Sequence, residues 1–212
     1  MEELNQNMLF IGEGVVFTLI LLLGGLLIGT LWGVLLALLR HQGIAKPLIN
    51  GFISVIRGTP VILQLSFVYF AIPALIGFKV NILTAGLLTF GFNSSAYIAE
   101  ILRAGIENLP KGQFEAARTL HIPGFYTWKD IILPQVIKNI LPAYINEMIA
   151  LLKETALIAT IGGMDLMRRA QSVAAEQFTY FTPLCIAALY YYVLVLLIEY
   201  LGKKVAQKEA LC

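Results

Sequence analysis

From Val15 to Leu39 the chain carries no charged side chain. That run is about 25 residues long, and roughly 20 apolar residues suffice for a helix to cross a bilayer. In lipid every backbone polar group must be satisfied inside the protein, so a single uncharged run of this length folds as a helix. The whole composition agrees: 58% of residues are hydrophobic, 13% are charged, and mean hydropathy is +0.80. A soluble domain averages roughly 25% charge. The expected fold class is all-α, a polytopic membrane helical bundle forming one domain over residues 1–212.

Other classes fall away on the same grounds. A net charge of +2 is too small to point to nucleic acid. Cys185 lies in an apolar segment and Cys212 ends the sequence, a pair that gives neither a disulfide framework nor metal spacing. Glu2 and Glu3 stand where a signal peptide would be basic. No Gly-rich phosphate loop occurs, so the chain is not expected to hydrolyse ATP or to hold a cofactor or metal of its own.

Length and charge place five spanning helices, at about 12–40, 57–78, 80–104, 135–162 and 177–202, with a polar interlude at about 108–134. Lys and Arg fix the orientation. With the N-terminus outside, the inner side collects Arg40, Lys46, Arg57, Arg103, Lys111, Arg118, Lys129, Lys138, Lys203, Lys204 and Lys208. The outer side holds only Lys79, Arg168 and Arg169. The expectation is N-terminus out, C-terminus in, and the polar interlude in the cytoplasm. Gly24, Gly25, Gly29 and Gly33 in the first span allow close helix packing. Thr59 and Pro60 suit the start of the second span, as cap and first-turn residue. Arg57 before them is either an interfacial anchor or a contact between subunits.

Polar residues inside the spans are the candidate site. Asn93, Tyr97 and Glu100 share one face of the third span, which should look into the bundle or a water-filled path. Asn93, Ser94 and Ser95 can equally serve to join helices. In the fourth span Glu147 and Glu154 are a heptad apart, about 10 Å along one face. Glu154 lies near mid-depth, where a carboxylate costs several kcal/mol unless paired or hydrated. Its neighbour Lys153 points elsewhere on a helix. Its partner is therefore either another helix or a cationic substrate. Gln64 joins Asn93, Ser94 and Tyr97 as candidate hydrogen-bonding groups of a substrate pocket. Gly162 and Gly163 can unwind the helix end so that Met164 and Asp165 fold back as an outer gate, with Asp165 drawing in a cation. In the polar interlude, Gln113–Leu120 reads as a short helix ended by Pro123 and Gly124, and Trp128–Ile132 as a second, broken near Pro134. Phe114, Ala117 and Leu120 recur at helical spacing as a docking face would.

The interlude EAARTLHIPGFYTWKDIILP (Glu115 to Pro134) resembles the EAA coupling loop of permease subunits from bacterial ABC importers. RGTPVILQLSFVYFAIP, AYIAEILRAGIENLPKGQFEAA and ILPQVIKNILPAYINEMIALLKETAL resemble further signatures of the polar amino acid subfamily, and together these cover about residues 10 to 208. The resemblance implies a type I importer permease in the bacterial inner membrane. Such a subunit pairs with a second permease subunit, here a homodimer by expectation, and with two cytosolic ATP-binding subunits that hold ATP and Mg. An extracytoplasmic solute-binding protein delivers the substrate. Glu115, Ala116, Ala117, Leu120 and Gly124 are implied as the ATPase-coupling residues.

Three positions depart from the family. His121 stands where it usually has Gly, and Gly124 three residues on can take the bend. Glu154 and Ala156 replace the usual Asp or Asn and a hydroxyl. The lengthened acid points to a basic amino acid, arginine, lysine or histidine. A neutral or acidic polar amino acid permease with no internal site, and a channel or scaffold membrane protein, stay as alternatives. A membrane enzyme is weakly supported, since the two histidines, His41 and His121, are far apart in the sequence.

Overall fold

The computed structural model describes residues 2–210, all helix and connecting turns with no strand among them. α1 (Glu2–Gly12) runs through Glu13 into α2 (Gly14–His41). α3 (Lys46–Gly58) follows, then α4 (Val61–Ser66), a π turn at Phe67–Ala71, and α5 (Ile72–Ile76). α6 (Ile82–Glu107) leads to α7 (Lys111–Thr119) and α8 (Gly124–Tyr126), then a second π turn at Thr127–Ile132. α9 (Leu133–Glu154) passes into a 3-10 stretch at Thr155–Ile161, followed by α10 (Leu166–Glu176) and α11 (Phe181–Ala210). Cys212 lies outside the described residues.

Glycine spacing decides how the two central helices meet. Gly25, Gly29 and Gly33 recur at every fourth position of α2 and lie against α6. A Cβ on Gly29 would stand 2.8 Å from the Cβ of Ser94, and one on Gly33 2.8 Å from the Cβ of Ile98. Both positions therefore demand hydrogen, and the backbones approach accordingly. The residue order at successive contacts, Gly25 to Phe90, Gly29 to Ser94 and Gly33 to Ile98, makes α2 and α6 parallel. α9 runs against them, with Leu151 beside Gly25 and Ile140 beside Gly105. The core gathers Leu21, Leu22, Leu26, Leu65, Phe90, Leu151 and Ile158 from α2, α4, α6, α9 and the 3-10 stretch.

Three helices are long and apolar enough to cross a membrane: Glu2–His41, Ile82–Glu107 and Phe181–Gln207. The pair Lys46–Gly58 and Val61–Ile76, bent by 104°, can supply a fourth. The expected count of five thus rests on α9, whose Lys138, Glu147, Lys153 and Glu154 set it apart.

Two expectations about element ends change. Thr59 is no N-cap: it ends α3, donating to the Val55 carbonyl at 2.8 Å, and Pro60 takes the cap position of α4. Pro134 does not break the helix before it. A proline lacks N–H, and its ring crowds the carbonyl four residues back. Here the ladder widens instead, with Leu133 N donating to Trp128 O five residues earlier. Pro73 has the same effect, with Ile72 N donating to Phe67 O. At the other end of α9 the helix tightens from Thr155 onward, and Gly162 (φ 90°) turns the chain.

The close α2–α6 contact makes Gly29 intolerant of volume. Gly29→Leu is expected to destabilise the bundle by about 1–3 kcal/mol, the usual cost of overpacking. Thermal unfolding in detergent, compared with Leu at the exposed Gly51, measures it.

Candidate functional site

A polar contact inside the bundle joins α6 to α9. Ser94 Oγ donates to Glu147 Oε1 at 2.7 Å, with Ser94 buried under Gly29. One turn nearer the N-terminus of α9, the Tyr144 hydroxyl meets Thr30 Oγ1 of α2 at 2.7 Å. Asn93, also buried, donates to Gln64 Oε1 at 3.3 Å, and its own Oδ1 has no partner. Gln64 Nε2 in turn donates to the Ile56 carbonyl at 2.8 Å and to Thr59 Oγ1 at 2.9 Å. The candidates Gln64, Asn93 and Ser94 therefore do stand together, as a hydrogen-bonded layer that ties the α3–α4 bend to α6 and α9.

Glu154 is partly buried and has no hydrogen bond or ion pair among the described residues. It lies on the same face of α9 as Glu147. Beside this acidic pair, Asn139, Asn146 and Lys153 recur every seven residues and are exposed. A polar stripe of this kind on a bundle helix faces water or a second polar surface, because lipid would leave it unsatisfied.

Tyr97 and Asp165 are placed elsewhere. Tyr97 lies beneath Arg57, whose guanidinium carbon is 5.3 Å from the ring centre. Both border a cleft with Glu100, Arg103, Asn108 and Asn139. Glu100 accepts hydrogen bonds from Arg40 of α2 and from Arg103 at 2.9 Å, and pairs with Arg57 of α3 at 3.4 Å. Arg57 thus has an acidic partner within its own chain. Asp165 is completely buried. It caps α10 by accepting from Arg168 N at 2.8 Å, and it accepts from the Tyr191 hydroxyl at 3.0 Å. The adjoining Leu166 N points to Thr18 Oγ1 at 3.4 Å. Thr18 and Gly29 are about 16 Å apart along α2, so Asp165 and Ser94 lie in different layers. The gate expected at Met164 and Asp165 is a helix start, held by a side chain with no free face.

The loop is built around Ala117 rather than presenting it. Ala117 is 2% exposed, while Leu120 is 71% exposed and Glu115, Ala116 and Gly124 are also open. Phe114 packs inward with Trp128, Leu109, Ile132 and Val136. The outward face is accordingly Glu115, Ala116 and Leu120, with Phe125 and Tyr126 beside it. α7 ends in two backbone bonds, Ile122 N to Ala117 O and His121 N to Arg118 O, both 3.0 Å. This is the Schellman closure, which puts the residue after the cap in the left-handed region. That residue is His121 itself, at φ 54°. The bend has not moved to Gly124. His121 Nδ1 donates to the Thr119 carbonyl at 3.1 Å, a bond that partly offsets the strain.

Glu147 is the residue that mattered more than its sequence signal suggested. Its heptad relation to Glu154 is visible in the sequence, but its contact with Ser94 is not.

Residues 29–209 match the protein family described as the binding-protein-dependent transport system inner membrane component. A putative glutamine transport system permease protein, GlnP, of Rickettsia typhi is 46% identical over 204 residues, 95% of this chain and 94% of its own. The arginine transport system permease protein ArtQ of Bacillus subtilis is 44% identical over 202 residues, 94% of this chain and 92% of its own. The fold is similar to the crystal structure of an amino acid ABC transporter with histidines. The TM-score there is 0.88 at 38% identity, covering 94% of each chain.

The left-handed His121 makes a directional prediction. A Cβ in this region costs about 1–2 kcal/mol that glycine avoids. His121→Gly should hold the loop more firmly than His121→Ala, which keeps the Cβ and loses the ring's bond. Hydrogen exchange at the Ile122 amide reads the difference: slower in the Gly variant than in the Ala variant, by roughly fivefold or more.

Proposed function

We propose that this chain, which belongs to the family of binding-protein-dependent transport system inner membrane components, imports polar amino acids with a cationic side chain. The observation that carries the reading is Glu154. It is a partly buried carboxylate on a bundle helix, on the face of Glu147, with no ion pair among the described residues. A carboxylate in that setting is costly until a cation or water satisfies it. An arginine, lysine or histidine side chain is the matching charge, and the low dielectric strengthens the pairing. The arginine permease of Bacillus subtilis and the transporter crystallised with histidines support this class. The glutamine-named relatives favour the second reading, a neutral polar substrate. In that case Gln64, Asn93 and Ser94 act only in the hydrogen-bonded layer.

The rest of the assembly follows from the placement of polar surfaces. α9 is the fifth crossing and carries its polar stripe toward a second permease subunit, with the substrate path between the two copies. The N-terminus lies outside and the C-terminus in the cytoplasm, the orientation that gathers most Lys and Arg on the inner side. Two ATP-binding subunits dock on Glu115, Ala116 and Leu120 and supply ATP and Mg. The solute-binding protein meets the opposite end, near α10. Asp165 takes no part in substrate contact, because its oxygens are already committed.

Glu154→Gln keeps shape and removes charge. In vesicles with ATPase and binding protein, this variant should lower the apparent affinity for arginine, read as arginine-stimulated ATP hydrolysis, by at least about tenfold. Glutamine-stimulated hydrolysis, if the wild type shows any, should not change. An unaltered arginine response places selectivity in the binding protein alone.

A further inference from the structure

Two clefts meet where α2 and α6 end. The larger, about 550 Å³, is apolar and runs beside Val34, Leu38, Leu102, Trp128 and Val136. The smaller, about 230 Å³, is bordered by Arg40, His41, Lys46, Arg103 and Glu107. They share Ala37, His41 and Ile106, so they form one continuous groove with a basic mouth.

Charge at the mouth is unbalanced. Arg40, Arg57 and Arg103 converge on Glu100, and Arg103 also bonds Glu107. Lys46 is exposed at the start of α3 and has no carboxylate partner among the described residues. At the mouth itself three cations, Arg40, Lys46 and Arg103, thus stand against one lining carboxylate, Glu107, beside an oily channel.

We infer that this groove seats an anionic phospholipid. The headgroup phosphate rests on Lys46 and the outer faces of Arg40 and Arg103, and one acyl chain lies along the groove toward Trp128. A free phosphate would satisfy the mouth alone and leave the apolar channel exposed. An uncharged lipid would fill the channel and leave Lys46 unpaired. Only a molecule that joins both chemistries at this spacing uses the whole groove. Basic pockets between spanning helices hold anionic headgroups for this reason. Trp128 belongs to the π turn behind α8, and its ring meets His41 with centroids 5.1 Å apart. A lipid seated here therefore braces the loop against the end of α2. The inference rests on the membrane reading of the chain and not on its substrate.

The two tryptophans make the test direct. Trp32 is exposed on α2, so Trp32→Phe leaves Trp128 as the reporter in the full chain. The protein is reconstituted in phosphatidylcholine vesicles containing a minor fraction of phospholipid brominated on its acyl chains, either phosphatidylglycerol or phosphatidylcholine. Brominated phosphatidylglycerol is expected to quench Trp128 at a several-fold lower mole fraction than brominated phosphatidylcholine. Lys46→Gln should shrink that preference by roughly fivefold, the effect of one cation near the headgroups, and Lys46→Arg should restore it. Millimolar glycerol phosphate should not compete. Equal quenching by the two lipids overturns the inference, as does quenching by neither, which would mean that protein covers the groove. Loss of the preference in glycerol phosphate would make the mouth a site for free phosphate and overturn it equally.

Discussion

A carboxylate inside a membrane bundle must be answered, and α9 carries two. Glu147 is answered from within by Ser94, at 2.7 Å. That contact depends on the rest of the fold. Ser94 reaches Glu147 because α6 lies close against α2, and α6 lies close because Gly29 has no side chain to hold it off. Gln64 and Asn93 extend the same layer to the α3–α4 bend. Glu154, one heptad on, has no such answer, and the exposed Asn139, Asn146 and Lys153 continue the polar character of the helix. On the reading proposed above this face of α9 is withheld from lipid, while α2 exposes Leu23, Leu27 and Leu31. The distinction between a bundle that merely sits in a membrane and one that moves polar cargo lies in α9.

The ends of the bundle obey a different rule, set by backbone geometry and surface charge. At one end Asp165 starts α10, and the reciprocal Asn7–Gln177 amide pair, 3.1 Å in both directions, ties α1 to the end of α10. At the other, Glu100 gathers arginines from three helices just before the chain enters the loop. The end of α6 is thus tied to α2 and α3 by ion pairs, and the loop to α9 by the packing of Phe114, Trp128, Ile132 and Val136. That mounting suits the coupling role proposed for the loop.

Much of this was legible in the sequence because spanning helices announce themselves by uncharged length. The long helices Gly14–His41, Ile82–Glu107 and Phe181–Ala210 fall where uncharged runs place them. The heptad of Glu147 and Glu154 and the glycine series of α2 carry their geometry in their spacing. What the sequence hid has physical causes. α1, α3 and α10 are short and mixed in polarity, so a search by apolar length passes over them. Pro134 reads as a break, yet a π turn absorbs it without ending the helix. Asp165 reads as a free acid because capping and ligand binding ask for the same side chain, and only burial separates them. Ala117 recurs with Leu120 at helical spacing, but the short helix turns the first inward and the second outward. His121 keeps the left-handed position that glycine usually fills, a strain that no periodicity reveals.

The central claim is that the polar face of α9 borders water, not lipid. With Cys185 and Cys212 replaced by Ser, single cysteines at Asn139, Asn146 and Lys153 can be compared with cysteines at Leu23, Leu27 and Leu31 in the assembled importer. Reaction rates with a small, membrane-impermeant, water-soluble thiol reagent added to both sides of the membrane provide the measure. Labelling of the α9 positions, with the α2 positions inert, is the predicted result. Inert cysteines at Asn146 and Lys153, labelled no faster than those on α2, would contradict the account.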